Sequence, residues 1–428
     1  MPDMGKSQKK NNHDPYAALR SRDFRLYIIT NFLLIFGNQM AVTGIGWELY
    51  TKTGQALDLG LMGLSTVLPF FLFGLIGGNV ADRYNRRTIL IIATVIYTAA
   101  LGGLCLVSGY HDQLANLRWF IFGFLFLTGT CNAFYIPAKQ ALIRQLVDPK
   151  DLSNAVTWVS STFQLASVTG PMACGFLLEK VPYPFIYSFA IVFEMVFLGA
   201  FVTFRLRKTT DDRKPISLKS IAEGAKFVWK TKPILATITL DLFAVLLGGC
   251  TALLPIFVKD ILHTGPETLG WLRAAPAIGA FLMALWVAQK PLKKPGLLLL
   301  WAVAGFGVAT IVFGLSKSLW LSLAMMFIIG GLDNISVIVR GSLVQILTPD
   351  RLLGRVQAVN YLFIYSSNEL GAFESGTVAN FIKILTGSSV LGASGSVVLG
   401  GAGSILVVIA AAFLWPQLVR LKSLHKTH

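Results

Sequence analysis

Continuous apolar runs of about twenty residues follow one another along nearly the whole chain, and an α-helix needs about that length to cross the hydrocarbon core of a bilayer. Read on that length, the spans lie near 24–50, 58–78, 88–109, 118–138, 152–177, 184–205, 233–258, 268–289, 296–316, 319–342, 354–383 and 390–415. The runs are continuous rather than alternating, which excludes a closed membrane β-barrel. Composition agrees. Of 428 residues 54% are hydrophobic and 14% charged, where soluble domains carry roughly 25% charged residues. The expected fold is an all-α membrane protein of twelve transmembrane helices, with membrane lipids as its solvent.

The formal net charge of +16 is not a nucleic-acid signal, because the Lys and Arg sit between apolar spans rather than in an aromatic-interleaved stripe. Sorting them by alternate connections places 30 of the 37 on one side. Basic residues accumulate on cytoplasmic loops, so both termini are expected in the cytoplasm and the protein in the cell inner membrane. The polar start, with Lys6, Lys9, Lys10, Arg20 and Arg22, has no cleavage pattern and is expected to stay inside. The outer set includes Arg273. Cys105, Cys131, Cys174 and Cys250 fall inside spans without CxxC spacing, and the five His are scattered over loops and termini. Neither a metal site nor a cofactor is expected.

The long polar stretch 207–232 divides the spans six and six. Within it Leu218, Ile221, Ala225 and Val228 recur at helical spacing between lysines, which predicts an amphipathic helix on the cytoplasmic leaflet. The expected organisation is an N-terminal arm (1–23), a first six-helix bundle (24–206), the linker (207–232), a second bundle (233–415) and a tail (416–428). The halves are related. A shift of 200 residues lays Gln145, Pro149, Leu152, Val156, Val159 and Phe163 on Gln345, Pro349, Leu352, Val356, Val359 and Phe363, and Leu59-Gly60 echoes Leu269-Gly270. Two six-helix halves in parallel repeat point to a transporter with its site between them.

After the second span comes Gly78-Asn-Val-Ala-Asp82-Arg83-Tyr-Asn-Arg86-Arg87. Gly78 would admit a neighbouring helix, Asp82 would cap a facing helix, and the arginines would hold a cytoplasmic latch. The GxxxDRxxRR pattern resembles the signature of the major facilitator superfamily. The turn 289–294 in the second half keeps the charge and lacks the Asp. In the fifth span, Gly170-Pro171 and Gly175 resemble the superfamily's antiporter motif, with Ala166 and Cys174 in place of two glycines. Drug-exporting members carry an Arg four residues before a glycine in the fourth span. Here Leu125 precedes Gly129, so the usual arrangement for proton coupling is not present.

Longer stretches narrow the resemblance. Pro137-Ala-Lys-Gln-Ala-Leu, Thr239-Leu-Asp241-Leu-Phe-Ala, the run 265–276 and the run 367–376 are similar to the enterobactin-exporter-like branch. That resemblance implies two pseudo-symmetric bundles of the major facilitator fold and export of a siderophore- or drug-like amphipathic solute by alternating access with proton antiport. It also implies that spans one, four, seven and ten line the cavity.

Ionisable residues inside spans are costly and are functional candidates by default. Asp241, about 12 Å into its span at 1.5 Å per residue, and Asp333 are candidates for substrate or proton binding. So are Asn31, Asn38, Gln39, Asn334, Glu369 and Glu374. Arg340, seven residues beyond Asp333, would share its face. The alternative for each carboxylate is a buried polar tie between helices. Glu194 stands on a span that the resemblance makes peripheral, and Glu48 and Asp58 read as interfacial. No HExxH, GxSxG or GxxxxGK[ST] motif is present, so an enzyme and direct ATP use are not expected. The expected partners are a small-molecule substrate and protons, with no nucleic acid, and the protein is expected to be a monomer. An importer or flippase of a lipid-like solute, and a non-transporting sensor with the same fold, remain as other readings.

Overall fold

The computed structural model describes residues 14–109, 114–204, 218–289 and 294–419. Their regular structure is helical throughout. The first half holds α1 (Arg22–Thr53), α2 (Ala56–Arg83), α3 (Arg86–Gly109), α4 (Leu114–Leu146), α5 (Leu152–Leu178) and α6 (Tyr183–Thr203). A connecting helix, α7 (Leu218–Lys230), leads into α8 (Lys232–Leu247) and the single turn α9 (Leu254–Ile256). Then follow α10 (Pro266–Ala288), α11 (Pro295–Leu315), α12 (Leu319–Leu347), α13 (Asp350–Thr386), α14 (Ser389–Leu414) and the short α15 (Pro416–Val419). Among the described residues ten segments, with Lys232–Ile261 taken as one, are long and apolar enough to cross a membrane. The long helices α5 and α13 are more polar, and both line the cavity described below. With them the pattern accords with twelve spans.

The seventh span departs from the expected continuous run. Its helix stops at Leu247, and the chain proceeds by a 3-10 turn (Cys250–Leu253), α9 and a π-turn (Phe257–Ile261). Two glycines stand at the break because neighbours fill the space of a side chain. A Cβ on Gly249 would lie 2.7 Å from the Gly371 carbonyl oxygen, and one on Gly248 would lie 2.5 Å from the Phe306 ring. The glycine-rich stretch of α14 also serves packing, since a Cβ on Gly400 would lie 1.9 Å from the Leu247 carbonyl oxygen.

The halves repeat one another in their pairings. In the first, α1 packs on α5 and α6, and α3 on α4 and α6, while α2 packs on α4. In the second, α8 packs on α13 and α14, and α11 on α12 and α14, while α10 packs on α12. Between them α2 pairs with α13, and α10 with α5. Both junctions need small residues: a Cβ on Gly376 would lie 2.6 Å from the Gly60 Cα, and one on Gly175 would lie 2.5 Å from the Pro266 carbonyl oxygen.

At the end of the molecule away from the termini, one apolar core crosses both halves, joining Trp47, Tyr50 and Leu59 to Leu253, Phe257 and Leu269. At the other end the cores are separate, one around Phe24, Tyr27, Leu142 and Phe201, the others around Leu240, Leu299 and Val339 and around Val228, Val344 and Val356. Among the described residues the shared apolar core that seals the halves together lies at the far end. The outer surface is apolar, and exposed Trp119 and Trp320 near the far end and Trp229 and Trp286 near the other mark two interfacial belts.

α7 docks inward rather than lying free on a leaflet. Val228 is buried against α8 and α13, a Cβ on Gly224 would lie 2.9 Å from Arg355 backbone atoms, and Glu223 pairs with Arg355. Of its large apolar side chains that are described, Trp229 is largely exposed, at 75%.

Candidate functional site

Below the far-end seal the halves enclose a cavity of about 870 Å³, within the range of small-molecule pockets. It extends along α4 from Phe124 to Ile143 and along α5 from Val159 to Pro171, and so runs toward the end that carries the termini. The seal closes it at the opposite end. Its wall is mostly apolar and aromatic, with Phe163, Tyr361 and Tyr365 among the lining residues. Tyr365 of α13 packs on Phe70 of α2, ring centroids 4.4 Å apart, across the junction of the halves. Four charged side chains face the cavity: Lys139, Glu194, Arg273 and Glu369.

Of the residues singled out from sequence, Asn38, Gln39 and Glu369 line this space. Asn38 accepts a hydrogen bond from the Tyr97 hydroxyl. Gln39 Nε2 donates to Ser167 Oγ at 3.1 Å, joining α1 to α5. Thr66 Oγ1 donates to Glu369 Oε2 at 3.0 Å, joining the halves. Asn31 is fully buried in the first half and neither amide atom has a hydrogen-bond partner among the described residues. Asn334 Nδ2 donates to the Ala280 carbonyl at 2.9 Å, and Glu374 accepts from Ser375 Oγ at 3.3 Å. None of Asn31, Asn334 and Glu374 lines the cavity.

Asp241 and Asp333 also lie away from it. They face a separate small void inside the second half, together with Ser336. Asp241 forms an ion pair with Arg340 and accepts from Ser336 Oγ at 2.6 Å. Arg340, which spacing puts on the face of Asp333, is thus paired with Asp241. Both partners are buried, and breaking such a pair by removing one member typically costs about 3–5 kcal/mol. Asp333 has no ion-pair partner among the described residues.

Three charged lining residues were not singled out as candidates. Lys139 and Glu194 interact electrostatically across the cavity wall of the first half, and the Lys139 ammonium lies 5.4 Å from the centre of the Tyr135 ring. Glu194 is reached because α6 packs on α1 and α3 with this residue turned inward. Arg273, sorted above with the outer loops, is instead drawn into the cavity wall by α10. The signal available for it was the adjoining Ala274-Ala275-Pro276, a small-residue stretch unlike a loop.

Glu48 and Asp58 are buried rather than interfacial. Glu48 accepts from Lys52 at 2.6 Å and from Ser108 and Tyr187 at 2.5 Å each. Asp58 pairs with Arg118.

In the turn between α2 and α3, a Cβ on Gly78 would meet nothing within 4 Å among the described residues, so no close approach is seen there. Its neighbour Gly77 does serve close approach, with a Cβ position 2.1 Å from the Ala133 carbonyl oxygen. Arg87 donates to the Val202 carbonyl of α6, a tie within the first half. Arg86 opens α3. The Asp82 and Arg83 side chains, and the second-half turn at 290–293, lie outside the described residues. In the fifth span a Cβ on Gly170 would lie 2.7 Å from Gln39 Cβ, so Gly170 sets α5 against α1, while Gly175 sets it against α10. Pro171 between them lines the cavity.

The arrangement is suited to holding a solute between two halves, and it resembles known transporters over most of its length. The family model for transmembrane secretion effectors matches residues 13–413. The enterobactin exporter of Citrobacter koseri is 24% identical over 374 residues, covering 86% of this chain and 88% of that protein. That of Escherichia coli O1:K1 is 23% identical over the same shares. Among solved structures, an inward-facing bacterial homologue of the human lysosomal transporter Spinster covers 94% of this chain and 97% of its own, with a TM-score of 0.65 at 18% identity. A D-xylose–proton symporter covers 94% and 99%, with a TM-score of 0.71 at 13% identity. The fold is that of the major facilitator superfamily, and these proteins are transporters rather than enzymes.

Proposed function

The chain belongs to the transmembrane secretion effector family, a multi-pass membrane transporter family of the major facilitator fold, and on that premise we propose that it exports a small amphipathic solute, siderophore- or drug-like, by alternating access in exchange for protons. The observation that carries the reading is the cavity, sealed at the end away from the termini and running toward the other. The charge distribution supports assigning that other end to the cytoplasm. A solute then enters from the cytoplasm, the halves rock about it, and it leaves when the far-end seal parts. Apolar and aromatic walls with a few charged groups suit an amphipathic solute, and the enterobactin exporters named above support the outward direction.

Proton exchange is assigned to Asp333. Two carboxylates, Asp241 and Asp333, line the void of the second half, and of the two Asp241 is engaged by Arg340. A carboxylate left without a counterion in an apolar bundle is the group best suited to exchange a proton with whichever side wets it. The test is efflux of a fluorescent amphipath from proteoliposomes under an imposed pH gradient. Asp333→Asn is expected to abolish gradient-driven flux while leaving downhill exchange; wild-type gradient-driven flux in this variant would remove the assignment.

A further inference from the structure

Arg273 is the cation on the cavity wall for which the structure holds no hydrogen bond, ion pair or aromatic face among the described residues. The other wall cation, Lys139, lies over the Tyr135 ring, and Glu369 accepts from Thr66. The Arg273 Nε is buried and its N–H donates to no acceptor among the described residues. Its guanidinium reaches from α10 of the second half to α1 of the first, where a Cβ on Gly46 would lie 3.4 Å from Nη2 and Met62 Cε 3.9 Å from that Cβ. The neighbouring lining residues Thr251, Ala252, Pro276 and Ala277 supply no anion. Cys174, an ionisable group that acts on it, is a buried free thiol.

An unpaired guanidinium in a low-dielectric wall is costly unless something else completes it. Here the open side of the guanidinium is the cavity itself. We infer that Arg273 is a specificity-determining residue that binds the anionic group of the transported solute, a carboxylate, phosphate or phenolate, at the closed end of the cavity. The inference rests on the exporter reading and names its substrate class: an amphipath with an anionic head directed at Arg273 and an apolar or aromatic body against Tyr365 and Phe163. Guanidinium takes such groups in a two-pronged fashion that lysine does not reproduce. The position also suits release. Arg273 belongs to one half and touches the other beside the seal, so parting of the halves would admit water to the charge pair and weaken it.

The test is equilibrium binding of N-dansylglycine and its uncharged methyl ester to the purified full-length protein in nanodiscs, read by dansyl fluorescence. The wild type is expected to bind the anion at least about tenfold more tightly than the ester, the scale of a charge-assisted hydrogen-bonded pair. Arg273→Gln is expected to lose that preference while ester binding and the unfolding temperature stay near wild type, and Arg273→Lys to keep part of it. Equal binding of the two probes by the wild type, binding of neither, or an anion preference that survives in Arg273→Gln would overturn the inference. Efflux of the ester from proteoliposomes separates the two readings. Ester flux without anion preference leaves the exporter standing and removes the role of Arg273.

Discussion

The Tyr50 hydroxyl at the end of α1 donates a hydrogen bond to Asp260 Oδ2 in the second half, and Ser389 Oγ donates to the same oxygen at 3.2 Å. Around this contact Lys259 Nζ donates to the Thr51 carbonyl at 3.3 Å, and Lys383 Nζ to the Gly54 carbonyl at 2.9 Å. Gly54 presents that carbonyl from a left-handed backbone, φ 63°, which closes α1. These polar ties cap the shared apolar core and have to break when the far end opens.

Weakening the tie should bias the protein toward far-end opening. Tyr50→Phe removes a hydrogen bond to a charged group, an effect of about tenfold or more on a two-state equilibrium. With Thr251→Cys on the cavity wall as a reporter in a background lacking the native cysteines, an impermeant maleimide added from outside should label the Tyr50→Phe variant faster than its Tyr50 parent. Equal labelling rates would mean that Tyr50 does not hold the seal.

The two aspartates of the second half should separate by readout. Asp241→Asn leaves Arg340 buried without its counter-charge and should destabilise the protein by about 3–5 kcal/mol, seen as a lowered unfolding temperature. Asp241→Leu with Arg340→Met should recover most of that loss. Asp333→Asn should leave the unfolding temperature nearly unchanged, because no ion pair is broken.

Glycines sort by what a methyl group would meet. Gly175→Ala places a Cβ 2.5 Å from the Pro266 carbonyl oxygen, and overpacking of this kind costs about 1–3 kcal/mol. The cost falls on the sealed state, so transport rate should change along with stability. Gly78→Ala, with nothing within 4 Å, should leave packing undisturbed. Thermal unfolding of the two variants side by side checks the contrast.

Lys139 and Glu194 should behave as a coupled pair. Either Lys139→Met or Glu194→Gln leaves one charge in the cavity wall of the first half, and each should reduce solute binding. The double variant should bind better than the two single effects multiplied, a coupling of about 0.5–3 kcal/mol. Strict additivity would show that the two groups act separately.

Much of the architecture was legible because it follows from one-dimensional patterns. Span length and the repeat anchored on Pro149 and Pro349 need no knowledge of partners. The observed turns begin at those same prolines, one opening a 3-10 turn and the other capping α13. The site was less legible. Spacing along one helix assigns a face, so Asn38 and Gln39 were reachable, but it does not say which helix lies opposite. Asp333 and Arg340 share a face by spacing, yet Arg340 turns to Asp241 because α8 lies against α12. Glu194 was set aside with its span, and Arg273 with its loop. In both cases the depth of the residue depends on how α6 and α10 tilt and pack, which apolar periodicity does not record. The break at Gly248-Gly249 was hidden because the run stays apolar through it.

Direction of flux tests the central claim most directly. Everted membrane vesicles containing the protein, given an inside-acid pH gradient, should accumulate N-dansylglycine in their lumen, and right-side-out vesicles under the same gradient polarity relative to the cytoplasmic face should lose it. Accumulation in the right-side-out vesicles, or no gradient-dependent movement in either preparation, would contradict the account.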